Sequence, residues 1–167
     1  MKTFDLNESG QTILVDLTFA LLIFLLVFNS INAAYISSVA GVKERSRLNE
    51  MQLKATQAIE SLVSFEGTPS NWEELPLQQV QEIGLADESK TINEAKLNAF
   101  KNLSADYNST KVLLNLGLFD YFFSLKGADD VNAGLPATTN ATQVQVKRIV
   151  TYKGEEAIVE FTLYSLS

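Results

Sequence analysis

From Leu17 to Phe28 the chain reads LTFALLIFLLVF, twelve residues with no charge and with Thr18 as the only polar side chain. Ile13, Leu14 and Val15 lead into this run, and Asn29 to Gly41 (NSINAAYISSVAG) prolongs it without a charge. A bilayer core takes roughly 20 apolar residues in a helix, so the twelve alone are too short and the prolonged stretch is long enough. The length allows a spanning helix from about Thr12 to about Gly41. Its second half is small and mildly polar, better suited to touching other helices than lipid.

The rest of the composition removes most chemistry. The 167 residues contain no Cys and no His, which excludes disulfides, thiolate or imidazole metal sites and every imidazole-dependent triad. Once the apolar stretch is subtracted, one domain remains. With 13 basic against 20 acidic residues the net charge is −7, the wrong sign for neutralising phosphates, so nucleic acid is not an expected partner. Residues 1–47 hold four bases and four acids; the whole imbalance lies in 48–167, nine bases against sixteen acids. An acidic body follows a neutral, apolar beginning.

Three readings of that beginning compete. A cleaved secretory signal fits the apolar run and finds a small-residue junction at Asn32-Ala33-Ala34, but its start is acidic, with Lys2 outnumbered by Asp5 and Glu8. A plain membrane anchor is the second reading. The third comes from MKTFDLNESG and the following Gln11-Thr12-Ile13-Leu14-Val15-Asp16. This arrangement resembles the archaeal type IV pilin-like proteins with a class III signal peptide, in which a polar leader ending in Gly is cut before a Gln ahead of a hydrophobic helix. The segments Glu66 to Trp72, Ile83 to Asp87 and Asn93 to Leu97 are similar to soluble portions of such proteins. In place of the base that many such leaders carry before the Gly, this one has Glu8-Ser9.

The resemblance implies cleavage between Gly10 and Gln11 by a prepilin peptidase, a mature chain of 157 residues, and an apolar helix that is retained as a filament core. It also implies a role for Asp16. A carboxylate beside an apolar helix is expensive in hydrocarbon and points to a named partner. By analogy with the acidic residue near the pilin N-terminus, that partner is the new α-amino group of Gln11, its own or a neighbouring subunit's. The bland alternative places Asp16 at headgroup level, marking where the span begins.

Helix continues past the apolar stretch. No Pro occurs before Pro69, and Gly41 is the only Gly between Gln11 and Glu66. Leu48, Met51, Ala55, Ala58, Leu62 and Phe65 are spaced three, four, three, four, three, a helical stripe. Glu66-Gly67-Thr68-Pro69 is expected to close it. A helix from Ile13 to Phe65 would run about 80 Å, far beyond globular lengths. A filament subunit accounts for it: one half packs among neighbours and the other lays its stripe on its own head. A hinge at Gly41, or a coiled-coil seam of fewer than three heptads, are the other readings.

In the remaining residues, Glu73-Glu74-Leu75-Pro76 predicts a short helix to about Glu82, ended by Gly84. The spacing Thr91 to Glu94 predicts a capping box and a helix to about Leu103. A further turn or two is expected over Ser109 to Leu116. From Leu118 the period becomes two, with Phe119, Tyr121, Phe123 and Leu125 on one side. Thr142 to Tyr152 and Glu156 to Leu166, joined by Lys153-Gly154-Glu155, predict a hairpin whose inward face is Ala157, Val159, Phe161 and Leu163. The expected fold is α+β: a long hydrophobic then amphipathic N-terminal helix packed on a small antiparallel sheet of three or four strands, with short helices. The expected organisation is leader 1–10, filament-core or transmembrane helix 11–41, amphipathic half 42–66, and acidic head 67–167.

No enzymatic constellation stands out, so an enzyme is not expected, nor a cofactor or a metal. The adjacent acids Glu73-Glu74, Asp129-Asp130 and Glu155-Glu156 read as solvated. Asp130-Val131-Asn132-Ala133-Gly134 resembles the start of a calcium loop without the later Glu that such a loop needs. The aromatics Phe119, Tyr121, Phe122 and Phe123 read as core before adhesive patch, and Trp72 as folded back on the helix end. Four Asn-x-Ser/Thr triplets begin at Asn7, Asn102, Asn108 and Asn140. The last three are candidate glycan acceptors on an exported head.

The expected function is therefore a structural subunit of an archaeal type IV pilus-like surface filament. It would be cut after Gly10, self-assembled through its helix by the pilus machinery from a membrane-held precursor, and used for surface adhesion. Lys43, Arg45 and Arg47 after the helix favour the opposite topology under the positive-inside tendency. A single-pass anchored accessory subunit of a larger complex is thus the first alternative. A tethered extracellular sugar- or cation-binding protein is the second.

Overall fold

A computed structural model describes residues 7–165, with side chains from Ile13 onward except that of Ala40. The fold is mixed α+β with a long N-terminal helix. Helix α1 runs from Asn7 to Ser64, 58 residues. The described residues fall into two units, one up to Ser46 and one from Arg47, and α1 contributes to both. Gly41 makes no break, since an isolated Gly costs only about 1 kcal/mol in a helix.

In the second unit, short strands β1 (Gly67–Thr68) and β2 (Glu82–Ile83) pair antiparallel. A six-stranded sheet is built from β3 (Ala86–Glu88), β4 (Thr91–Ile92), β5 (Asp120–Lys126), β6 (Val131–Gly134), β7 (Thr142–Tyr152) and β8 (Glu155–Ser165). The strand order is β3-β4-β7-β8-β5-β6, antiparallel throughout except for β4 beside β7. Helices α2 (Glu94–Leu103) and α3 (Tyr107–Leu113) complete it.

One core joins the amphipathic end of α1 to one face of the sheet. Met51, Ala55, Ala58, Ile59, Leu62 and Val63 are buried with Tyr121, Phe123, Phe161 and Leu163. The expected inward face of the last strand, Ala157 to Leu163, is buried at every second residue. The hairpin turn is two residues, Lys153 and Gly154, both with positive φ (53° and 80°). That is the twist-matched geometry, and it frees Glu155 to start β8.

Several expectations need correction. The stripe on α1 does not end at Phe65, which is 60% exposed; Ile59 and Val63 carry it instead, and Leu48 is half-buried. The helix ends at Ser64, just ahead of the segment 66–69 expected to close it, and Gly67 there takes a left-handed φ of 91°. The helix's last carbonyls are met from a distance, by Leu85 N–H on Leu62 O at 2.8 Å and Lys90 N–H on Val63 O at 2.7 Å. The helix expected over 73–82 is two separate 3₁₀ turns, Trp72–Glu74 and Leu77–Gln79, because Pro76 is extended between them. The cap of α2 is Asn93, whose Oδ1 accepts from Lys96 N–H at 3.0 Å, while Thr91 sits in β4. Helix α3 starts earlier and ends earlier than expected, capped by Asp106. The segment 130–134 is not a cation loop: Val131–Gly134 is strand β6, with Val131 and Ala133 buried toward the core.

Candidate assembly helix and modification sites

In the first unit, every side chain described between Ile13 and Ser38 is exposed within the chain. Phe19, Leu22, Leu26 and Ile31 are among more than a dozen large apolar residues so placed, on all sides of the helix. A helix apolar all round is at rest only in lipid or among other helices. The stretch from Ile13 is long and apolar enough to cross a membrane. Two of its hydroxyls fit that setting, for Thr18 Oγ1 donates to Leu14 O at 2.7 Å and Ser30 Oγ to Leu26 O at 2.8 Å. Each is satisfied one turn back along its own helix.

Gly10 and Gln11 lie inside α1 by their backbone, so the helix begins before the expected cut, not after it. Residues 1–6 of the expected leader lie outside the described residues. Asp16 is exposed, and among the described residues its carboxylate has no partner. Five residues separate it from Gln11, about 7.5 Å along the helix and about 140° around it.

The candidate acceptors Asn102, Asn108 and Asn140 are all exposed. They differ in the hydroxyl two residues on. Ser104 Oγ is held by Phe100 O at 2.9 Å, and buried Thr110 donates to Leu103 O at 2.9 Å. Thr142, following Asn140, is half-buried at the start of β7 and makes no such bond among the described residues. The asparagine side chain of Asn7 lies outside the described side chains.

The aromatic cluster is structural. Phe119, Tyr121 and Phe123 are buried, with Tyr121 stacked between Tyr107 at 5.1 Å and Phe161 at 5.8 Å. Tyr107 O–H donates to Asp120 Oδ1 at 3.1 Å and accepts from Tyr121 N–H at 2.9 Å. Burial pushes the Tyr107, Tyr121 and Tyr164 phenols above their ordinary range. Trp72 is buried as well, its Nε1–H donating to Gly84 O at 2.8 Å just beyond the end of α1.

Lys153 bridges Glu94 at 2.9 Å and Asp129 at 2.7 Å, and these hydrogen bonds raise its pKa. Two features escaped the sequence reading: the Tyr107 hub and the sheet edge formed by β7. The polar residues Gln143 and Gln145, alternating with Val144 and Val146, are the signal for that edge. Compared with known protein families, curated proteins and solved structures, the chain matches none.

Proposed function

We propose that the chain is a structural subunit of an archaeal type IV pilus-like surface filament, cut between Gly10 and Gln11 and assembled by its helix for surface adhesion. One observation carries this reading: a single helix leaves its mostly apolar side chains exposed over Ile13 to Ser38, yet supplies Met51 to Val63 to a domain core. The buried part fixes the head to the helix; the bare part needs burial elsewhere. Lipid meets that need before assembly, and identical helices meet it afterward.

Asp16 then takes the amine of a neighbouring subunit. In a helix its own Gln11 lies on the far side, more than a turn away. The acidic head faces water and keeps the assembly soluble. Electron microscopy of material sheared from the host cell surface tests this. Fibres containing the chain, lost on Asp16→Asn while the protein stays in the membrane, are the expected result; dispersed monomers oppose it.

A second reading has its own observation. Lys43, Arg45 and Arg47 directly follow the apolar stretch, which suits a single-pass anchor whose acidic domain docks on a cytoplasmic complex. Protease protection of the head in intact cells would favour that reading.

A further inference from the structure

Strand β7 is eleven residues long, but its outer neighbour β4 covers only Thr151 and Tyr152. Thr151 N–H donates to Lys90 O at 2.7 Å, which shows the direction in which odd-numbered residues of β7 aim their backbone. The register with β8 is unbroken from Thr142 to Tyr152, so the same parity holds throughout. Gln143, Gln145, Lys147 and Ile149 therefore turn both N–H and C=O outward, and among the described residues no backbone group meets them, though the Lys147 carbonyl accepts from Arg148 Nη1 at 2.8 Å. An open edge of this length, without Pro or bulge, is a template for strand addition.

Edges are normally guarded by charge, and here both charges of the open stretch are paired within the chain, with Arg148 also resting on the Lys147 carbonyl. Lys147 is paired with Glu160 on β8, and Arg148 with Glu60 on α1. We infer that the β7 edge pairs antiparallel with the same edge of a second copy of this chain, about a two-fold axis at Val146. Val146 is the midpoint of the open stretch Thr142–Val150. That register sets all four outward residues of each copy opposite one another, with both backbone hydrogen bonds made at each once the Arg148 guanidinium leaves the Lys147 carbonyl.

Side chains and flanks agree with it. Val146 meets its own copy, Gln145 faces Lys147, and Arg148 faces Val144, so no like charges stand opposite. A turn closed by Ala141 N–H on Thr138 O at 3.1 Å ends the extended run just before β7, at the end that comes beside β4 of the copy. Val144 and Val146, only half-buried now, gain cover. Such a contact is isologous and closes at two heads. It joins heads laterally, independent of how the apolar helices associate.

The chain has no Cys, so single-cysteine variants of the full-length protein in detergent report the contact directly. In the inferred register Val146→Cys sits at a Cα separation of about 4.5 Å from its copy, within disulfide reach. Val144→Cys is four residues out of step with itself, about 13 Å away. The expected result is at least about tenfold more disulfide dimer for Val146→Cys than for Val144→Cys. Adding Gln145→Pro, whose lost N–H serves no bond within its own sheet, is expected to abolish the dimer.

Equal crosslinking of the two variants, none by either, or a dimer that survives Gln145→Pro overturns the inference. Hydrogen exchange on the unmodified chain covers the case of a variant that misfolds. The Gln143, Gln145, Lys147 and Ile149 amides should exchange more slowly as protein concentration rises, and rates independent of concentration overturn it too.

Discussion

Arg148 on β7 reaches Glu60 on α1, Nε to Oε1 at 2.6 Å, across 88 residues of chain, while its Nη1 donates to the Lys147 carbonyl at 2.8 Å. This pair stitches the sheet to the helix at the margin of the core. Both side chains are partly exposed, 30% and 42%, so water screens the attraction. A double-mutant cycle with Arg148→Met and Glu60→Gln should give a coupling of at most about 1 kcal/mol, shrinking with added salt. A coupling of several kcal/mol would place the pair in a far drier setting than described.

Tyr107→Phe should cost more than its single oxygen suggests. The substitution strands the Tyr121 N–H and removes a donor from Asp120, which keeps Lys111 at 2.8 Å. A buried donor left without a partner costs about 1–3 kcal/mol, to be read from denaturant midpoints.

Alkaline stability follows from the same phenols. Burial raises the pKa of Tyr107, Tyr121 and Tyr164 in the folded chain, so the folded state holds these protons more tightly than the unfolded state. Unfolding free energy should be flat in this respect up to the ordinary tyrosine value of 10.0 and fall as pH rises above it. Phenolate absorbance from these residues should appear together with loss of folded signal, and its appearance in the intact fold would contradict the burial.

Gly84→Ala should destabilise through sterics, although Gly84 has no left-handed backbone requirement. An added Cβ runs into the Phe65 carbonyl and the Gly67 backbone N, neither of which can swing aside. The segment beginning here also caps α1, and Gly84 O holds the Trp72 indole. Overpacking of this kind costs about 1–3 kcal/mol, measurable by thermal unfolding with Trp72 fluorescence as the probe.

What was legible in the sequence is what repeats locally. The α1 stripe through Met51 and Ala55, the alternation in Tyr121 to Leu125 and the Lys153-Gly154 turn each declare themselves within a few residues. The short elements did not. Whether 73–82 is helix or two turns depends on Pro76 taking an extended backbone between them, and strand β6 exists because Asn132 and Ala133 pair with Ser124 and Phe123. Phe65 keeps helical spacing yet is exposed, because α1 ends at Ser64 and the segment 84–86 takes over the space. At the candidate site, the apolar run was legible, and the open β7 edge was not, since it arises from β4 being only two residues long.

Among the glycan candidates the geometry singles out Asn140. Modification of the folded head requires access to the Asn and to the hydroxyl two residues on, and Ser104 and Thr110 are tied into the core while Thr142 is not. Mass spectrometry of peptides from the native protein should find glycan at Asn140 and not at Asn102 or Asn108, and Asn140→Gln should remove it.

The filament account depends on an apolar helix freed of its first ten residues. Intact-mass measurement of the protein isolated from its host, together with its N-terminal sequence, tests that directly. The account predicts a mature chain beginning at Gln11. A chain that still begins at Met1, or one cut near Ala34, would contradict it.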